Sequence, residues 1–206
     1  GLNYQWGNGV QSSSQYVNPT IIGNNSYIVT ASDVNLCSNS DTISISVNSL
    51  PIAQVSASDT NICINDTITL LSSAASNYQW NNGSTSQSQT LILGNVGTTI
   101  FTVTIFDNNS CSATDSVIVN VNNNPTISVS ANNNNICIGE SVTLSASGAI
   151  NYLWDNGVTS STQVITPSTS AILTYSVVGT DINSCSANAQ VNICLLYTSD
   201  AADDPW

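Results

Sequence analysis

The residues able to do chemistry in this chain recur at one spacing. Cys37, Cys111 and Cys185 are separated by steps of 74, and Cys63 and Cys137 keep the same step. Trp6, Trp80 and Trp154 follow it too, each preceded two residues earlier by Tyr4, Tyr78 or Tyr152 and followed by Gly9, Gly83 or Gly157. Thiols at a fixed recurrence point to bridging. An indole and a phenol two apart share one face of a strand, where they can fill a core or stack on a sugar ring. Each late cysteine closes an Asp-x-Asn-x-Cys segment: Asp33/Asn35, Asp107/Asn109 and Asp181/Asn183. Two oxygen side chains at that spacing could contribute to a Ca²⁺ site, with Asp107, Asn109, Asp181 and Asn183 as the candidates. A calcium ion needs about six to eight oxygens, however, and the same residue types build tight Asx turns. The turn is the favoured expectation, and no other cofactor is implied.

Composition removes several classes of function. There is no Lys, Arg, His or Met, and 12 acidic residues give a formal charge of −12. Such a chain has nothing to neutralise phosphates, so nucleic acid and anionic membrane surfaces are excluded as partners. Without His or Lys there is no common general base near neutrality and no Ser–His or Ser–Lys pair. Paired carboxylates could act as in glycosidases, but the acids fall about once per repeat, in turns. The chain is therefore not expected to be an enzyme. Zinc lacks both His and Cys-x-x-Cys. Charged residues make up 6% of the chain, so solubility rests on Asn, Ser, Thr and Gln. No apolar run approaches the roughly 18 residues of a membrane helix. No basic n-region opens the chain, which reads Gly1 as an internal starting point.

The elements that must position these residues have a period of two. Ile43, Ile45 and Val47 alternate with polar residues, as do Val117, Val119 and Val121. Tyr27, Val29 and Ala31 match Phe101, Val103 and Ile105 in the preceding strand, and Ile68 and Leu70 match Val142 and Leu144. Alternation with β-branched enrichment predicts half-buried strands, and Asn82-Gly83 or Asp107-Asn108-Asn109 predict turns between them. About six or seven strands per period predict an all-β fold of tandem antiparallel sandwiches. Pro51 and Pro125 mark linkers. The expected organisation is a partial repeat over 1–50 without its opening strands, then repeats over 51–124 and 125–193. Trp80, Trp154, Tyr78 and Tyr152 are expected in the cores, a sugar-stacking platform being the less favoured use. The run Cys194 to Asp204 resembles the translation of a transposase-type sequencing-library adapter over eleven consecutive positions. Residues 194–206 are therefore set aside as a non-native tail, expected to pack poorly beyond a short strand continuation.

Ile136-Cys137-Ile138-Gly139-Glu140-Ser141-Val142-Thr143-Leu144, then Asn151-Tyr152-Leu153-Trp154-Asp155-Asn156-Gly157, resembles the first half of an Ig-like or PKD-like domain. Tyr175-Ser176-Val177 through Asp181-Ile182-Asn183-Ser184-Cys185 resembles the second half. Together they resemble the tandem repeats of giant adhesins and gliding-motility proteins of Bacteroidota, over nearly all of 1–193. The resemblance implies Ig-like sandwiches and export to the bacterial cell surface or medium, often by the type IX pathway. It also implies a spacer role, with neighbouring repeats as the immediate partners. The alternative is a module that binds surface glycans or proteins itself. Asp41-Thr42-Ile43, Asp66-Thr67-Ile68 and Asp115-Ser116-Val117 resemble the O-glycosylation tripeptide of the same bacteria.

An exported chain with periodic cysteines should form disulfides. Setting aside Cys194 leaves five of the six cysteines. The simplest pairing is within repeats, Cys63–Cys111 and Cys137–Cys185, with Cys37 left single. One geometric objection stands. Cys63 and Cys137 precede the second strand while Cys111 and Cys185 follow the last hairpin turn, and those places lie roughly 20 Å apart in an ordinary sandwich. Successive domains stacked end to end would instead allow Cys63–Cys185. Pairing within repeats is favoured because both cysteines recur together.

Overall fold

The computed structural model describes residues 1–168 and 172–196, and these are all-β. The first repeat supplies three strands, β1 (Asn3–Trp6), β2 (Gly23–Ser32) and β3 (Ser38–Val47), in one antiparallel sheet of order β1-β2-β3. The second supplies seven: β4 (Val55–Ala57), β5 (Asn61–Cys63), β6 (Thr67–Ser72), β7 (Asn77–Trp80), β8 (Ser88–Ile92), β9 (Gly97–Phe106) and β10 (Ser112–Asn122). The third repeats the set as β11 (Ser128–Ala131), β12 (Asn135–Cys137), β13 (Val142–Ser147), β14 (Asn151–Trp154), β15 (Thr162–Ile165), β16 (Ile172–Thr180) and β17 (Ser186–Leu196). The result is about two β-sandwich domains of roughly 75–80 residues each.

In each complete repeat three strands form one sheet and four the other. The sheets are β4-β6-β8 with β5-β10-β9-β7, then β11-β13-β15 with β12-β17-β16-β14. The opening segment divides between the two: β11 pairs antiparallel with β13, and after Asn132–Asn134 the chain joins the other sheet as β12, parallel to β17. The pairing β5–β10 is parallel in the same way, so one edge of each larger sheet departs from the antiparallel expectation. By compactness the chain divides into two units. One gathers Gly1–Val55, Ser72–Gln87 and Thr102–Asp115; the other gathers Ser56–Leu71, Ser88–Phe101 and the described residues from Ser116 onward.

The core of the third repeat shows why alternation was informative. Val142, Leu144 and Ala146 of β13, and Val191, Ile193 and Leu195 of β17, turn one side chain in two inward. Trp154, Val177 and Ile136 join them in one buried cluster. In the second repeat Trp80, Val103, Ile105, Val119, Ile68 and Leu70 are buried at matching positions. Where the repeats differ, volume is exchanged. Gly179 stands where the second repeat has Ile105, and a Cβ at Gly179 would come within 2.3 Å of Ile127 Cδ1. Ile127 in turn stands where the second repeat has Ala53. The third repeat fills this space from β11's approach, and the second from β9.

The last strand runs past the boundary placed at Ile193, within the short continuation allowed for there. β17 continues to Leu196, with Cys194, Leu195 and Leu196 registered against Asn135, Ile136 and Cys137. The Cys194 N–H donates to the Asn134 carbonyl at 2.8 Å, and Leu195 is buried in the core. Leu195 lies one step of 74 beyond Val121, which occupies the same place against Ile62. Whatever its origin, that stretch supplies an apolar residue where the fold requires one. The remainder of the tail lies outside the described residues.

Candidate functional site: a covalent link between successive repeats

Two kinds of turn carry the cysteines. Cys63 opens a turn in which the Asp66 N–H donates to the Cys63 carbonyl at 3.0 Å, with Asn65 at φ 68°. A positive φ at the third residue is what a type II turn demands. The Asp66 carboxylate then accepts the Cys63 N–H at 3.0 Å. Cys137 repeats the arrangement with Gly139 at φ 85° and the Glu140 carboxylate accepting its N–H at 2.9 Å. The equivalence of Asp66 and Glu140 thus has a local structural cause.

The second turn is the Asp-x-Asn-x-Cys segment. The Asp181 N–H donates to the Cys185 carbonyl at 2.9 Å and the Ser184 N–H to the Asp181 carbonyl at 3.2 Å, with Ser184 at φ 65°. Asp181 Oδ1 accepts the N–H groups of Asn183 and Cys185 at 2.8 and 2.9 Å. Asp107 Oδ1 does the same for Asn109 and Cys111, and Asp33 Oδ1 for Asn35 and Cys37. The calcium candidates Asp107, Asn109, Asp181 and Asn183 are therefore brought together as turns whose carboxylate oxygen already holds two backbone donors. No group of three or more metal-ligating side chains occurs among the described residues.

The structure bonds the two kinds of turn across a repeat boundary. Cys63 is joined to Cys185, 122 residues away, with Cα atoms 5.5 Å apart. This corrects the favoured pairing: neither Cys63–Cys111 nor Cys137–Cys185 forms, and Cys111 and Cys137 are free thiols, as is exposed Cys37. The reason is strand register. Cys137 lies opposite Leu196, at the far end of β17, while Cys185 immediately precedes Ser186 at its start. An extended strand of that length separates them by about 35 Å, against the roughly 7 Å a disulfide tolerates. Cys63 likewise lies opposite Asn122 at the end of β10. The end of one repeat that carries Cys63 is also the end from which the chain leaves for the next. The next repeat begins beside its own cysteine turn, since an added Cβ at Gly148 or Gly179 would strike Thr126 or Ile127. Main chain and disulfide therefore join the two repeats at two points.

The tyrosines and tryptophans are committed to local loops. Trp154 is 1% exposed and its Nε1–H donates to the Ser160 carbonyl; Trp80 is 2% exposed and donates to Ser86. Tyr152, half-buried, uses its hydroxyl to accept the Ala149 N–H and donate to the Ala149 carbonyl. Tyr78 accepts the Ala75 N–H in the same way. Neither indole presents a face to a sugar. Burial, with Asp155 adding to it, raises the Tyr175 hydroxyl above the ordinary phenol value. Thr42, Thr67 and Ser116, the hydroxyl residues of the tripeptides, are exposed, while Asp66 and Asp115 bind the backbone N–H groups of Cys63 and Val55.

No protein-family model matches this chain, and no curated protein does either. Solved structures similar to it are sandwich modules. Murine CEACAM1b matches at 15% identity and a TM-score of 0.36, over 71% of this chain and 100% of that one. Fibronectin(III)-like modules of Clostridium thermocellum CbhA match at 13% and 0.39, over 70% and 95%. The Bacteroides ovatus mixed-linkage glucan utilization locus protein SGBP-B, solved in complex with a mixed-linkage heptasaccharide, matches at 13% and 0.23, over 95% and 60%. Scores of this size carry no argument about ligand or role.

Proposed function

We propose that this chain is a non-catalytic spacer segment of an exported bacterial cell-surface protein, of the kind found in Bacteroidota adhesins. Its repeats transmit position and tension; they do not bind or transform a ligand. The observation that carries this reading is the Cys63–Cys185 bond between successive repeats. A linker held by main chain alone is a hinge, whereas a second covalent point beside it restrains bending, which is a property a spacer needs. A disulfide also suits an oxidising compartment outside the cytosol. The recurrent Asp, Tyr and Trp residues support the reading because each is engaged in its own repeat's turns, loops or core. Small-angle scattering of the oxidised chain together with a glycan array provides the test. An extended envelope that loosens on reduction, with no glycan retained, is the expected result. Saturable binding of a defined glycan would replace the spacer with a recognition module.

A further inference from the structure

We infer that the Cys63–Cys185 bond is one instance of a periodic staple, so that any two adjacent complete repeats of this type are joined by a disulfide between residues 122 apart. The inference concerns how repeats are coupled and holds whether the array serves as a spacer or as a binding surface.

The bonded pair combines two positions that recur. Cys63 belongs to the early turn of the second repeat and Cys185 to the late turn of the third. Each position exists elsewhere as a free thiol in the same local setting. Cys137 is the early cysteine of the third repeat, and Cys111 and Cys37 are late cysteines of the second and first. Counting 122 onward from Cys137, or back from Cys111 or Cys37, leads outside residues 1–206. They are thus free because the complementary position is not among these residues, while the one complementary pair that is present is bonded. Among the late cysteines the bonded one is the most enclosed: Cys185 is fully buried, while free Cys111 is partly buried and free Cys37 exposed; the early cysteines Cys63 and Cys137 are both half-buried. The register of β12 against β17 closes the alternative, because it places the two cysteines of a single repeat at opposite ends of one strand. The chemical partner of Cys137 is therefore the late cysteine of a repeat of this type joined behind it, and that of Cys111 the early cysteine of one joined in front.

The oxidation is ordinary thiol–disulfide exchange. One thiolate attacks oxidised glutathione, forming a mixed disulfide and releasing one reduced glutathione. The second attacks the protein sulfur of that mixed disulfide, closing the protein S–S bond and releasing the other, so the two electrons and two protons pass to glutathione. The test inserts a second copy of residues 51–124 directly after Asn124 in the full chain and oxidises it in glutathione buffer. Chymotryptic mapping under non-reducing conditions then reads the pairs, since Trp80 and Phe101 separate Cys63 from Cys111 and Tyr152 and Tyr175 separate Cys137 from Cys185. A further cut before Asp115 with an Asp-directed protease separates Cys111 from Cys137. Two bridges are expected. Cys63 should bond the inserted copy's counterpart of Cys111, and the inserted counterpart of Cys63 should bond the residue numbered Cys185 here. Titratable thiols should stay at the number found in the parent chain although two cysteines have been added. One bridge with two extra thiols, or any bridge within a copy, overturns the inference. A second variant works in the unextended chain. Cys63→Ser should leave Cys185 reactive and unpaired, whereas a new Cys137–Cys185 peptide would show that a repeat can close on itself and would likewise overturn it.

Discussion

The first and third repeats share a sequence pattern and differ in what covers it. Trp6 and Trp154 occupy one position, yet Trp6 is only partly buried and Trp154 is 1% exposed. Ile43 is 56% exposed where Val191 is 8% exposed. Residues 1–50 supply the single sheet β1-β2-β3, whose inward face is an open hollow lined by Trp6, Gln15, Val17, Tyr27, Ile43 and Ile45. Residues 125–196 supply two sheets, and the matching face becomes a core. Local details survive the difference: the Trp6 Nε1–H donates to the Ser12 carbonyl as Trp154 does to Ser160, and both hairpins turn on a glycine, Gly9 or Gly157, at positive φ. Alternation and turn chemistry therefore set the strand and its hairpin, while burial requires a second sheet. Hydrophobic stabilisation belongs to the pair of sheets and not to either one.

The largest effect should separate those two tryptophans. Trp154→Ala opens a cavity in a closed core and should cost about 3–5 kcal/mol. Trp6→Ala removes a side chain that is already partly in water, and should cost less than half as much. Urea unfolding of the two variants makes the comparison. Equal losses would show that the first sheet is packed as fully as the third repeat.

The volume exchange between repeats offers a sharper case. Gly179→Ile in the third repeat drives a side chain into Ile127 and Ala149 and should destabilise by about 1–3 kcal/mol or more, as overpacking does. Adding Ile127→Ala recreates the combination of residue types, Ala53 with Ile105, that the sequence has one repeat earlier and should recover most of the loss. Additive losses in the double-mutant cycle would mean that the two positions do not share space. Truncation after Ile193 comes next. It removes Leu195, a buried side chain worth about 1.5–3 kcal/mol, and the parallel pairing with β12. A lowered melting temperature is expected, and an unchanged one would return those residues to the status of a passive tail.

These cases show what the sequence made legible. The step of 74, the two-residue alternation and the Asx turns are local signals, and each has its counterpart in a strand or hairpin. The cysteine pairing was not local. Its outcome depends on β12 lying beside the end of β17, a tertiary register that spacing between cysteines does not encode. Strand length alone points the right way, whereas recurrence of both cysteines in each copy points to pairing within repeats, which the register forbids. Leu195 was missed for a different reason. Its surroundings resemble an adapter, although Val121 and Val47, one and two steps earlier, mark the position as apolar. The Asx turns at Asp107 and Asp181 were legible as turns; the coordinates add that one carboxylate oxygen accepts two turn amides.

The smallest effect compares two turns with one backbone and different residues. Trp154 to Val158 and Asp181 to Cys185 close identically: the first N–H donates to the fifth carbonyl, and the fourth N–H to the first carbonyl. The fourth residue is left-handed in both, at φ 85° for Gly157 and 65° for Ser184. A Cβ makes that conformation unfavourable by about 1–2 kcal/mol, and glycine avoids the cost while losing more entropy on folding. Ser184→Gly should therefore stabilise the third repeat by a net ~0.5–1 kcal/mol, and Ser110→Gly should do the same for the second. Gly157→Ser should reverse the sign at similar size. Because Ser184 precedes the bonded Cys185, the variant must be compared in both oxidised and reduced protein. A gain of the same size in each locates the strain in the turn; a gain confined to the oxidised form would assign it to the staple instead.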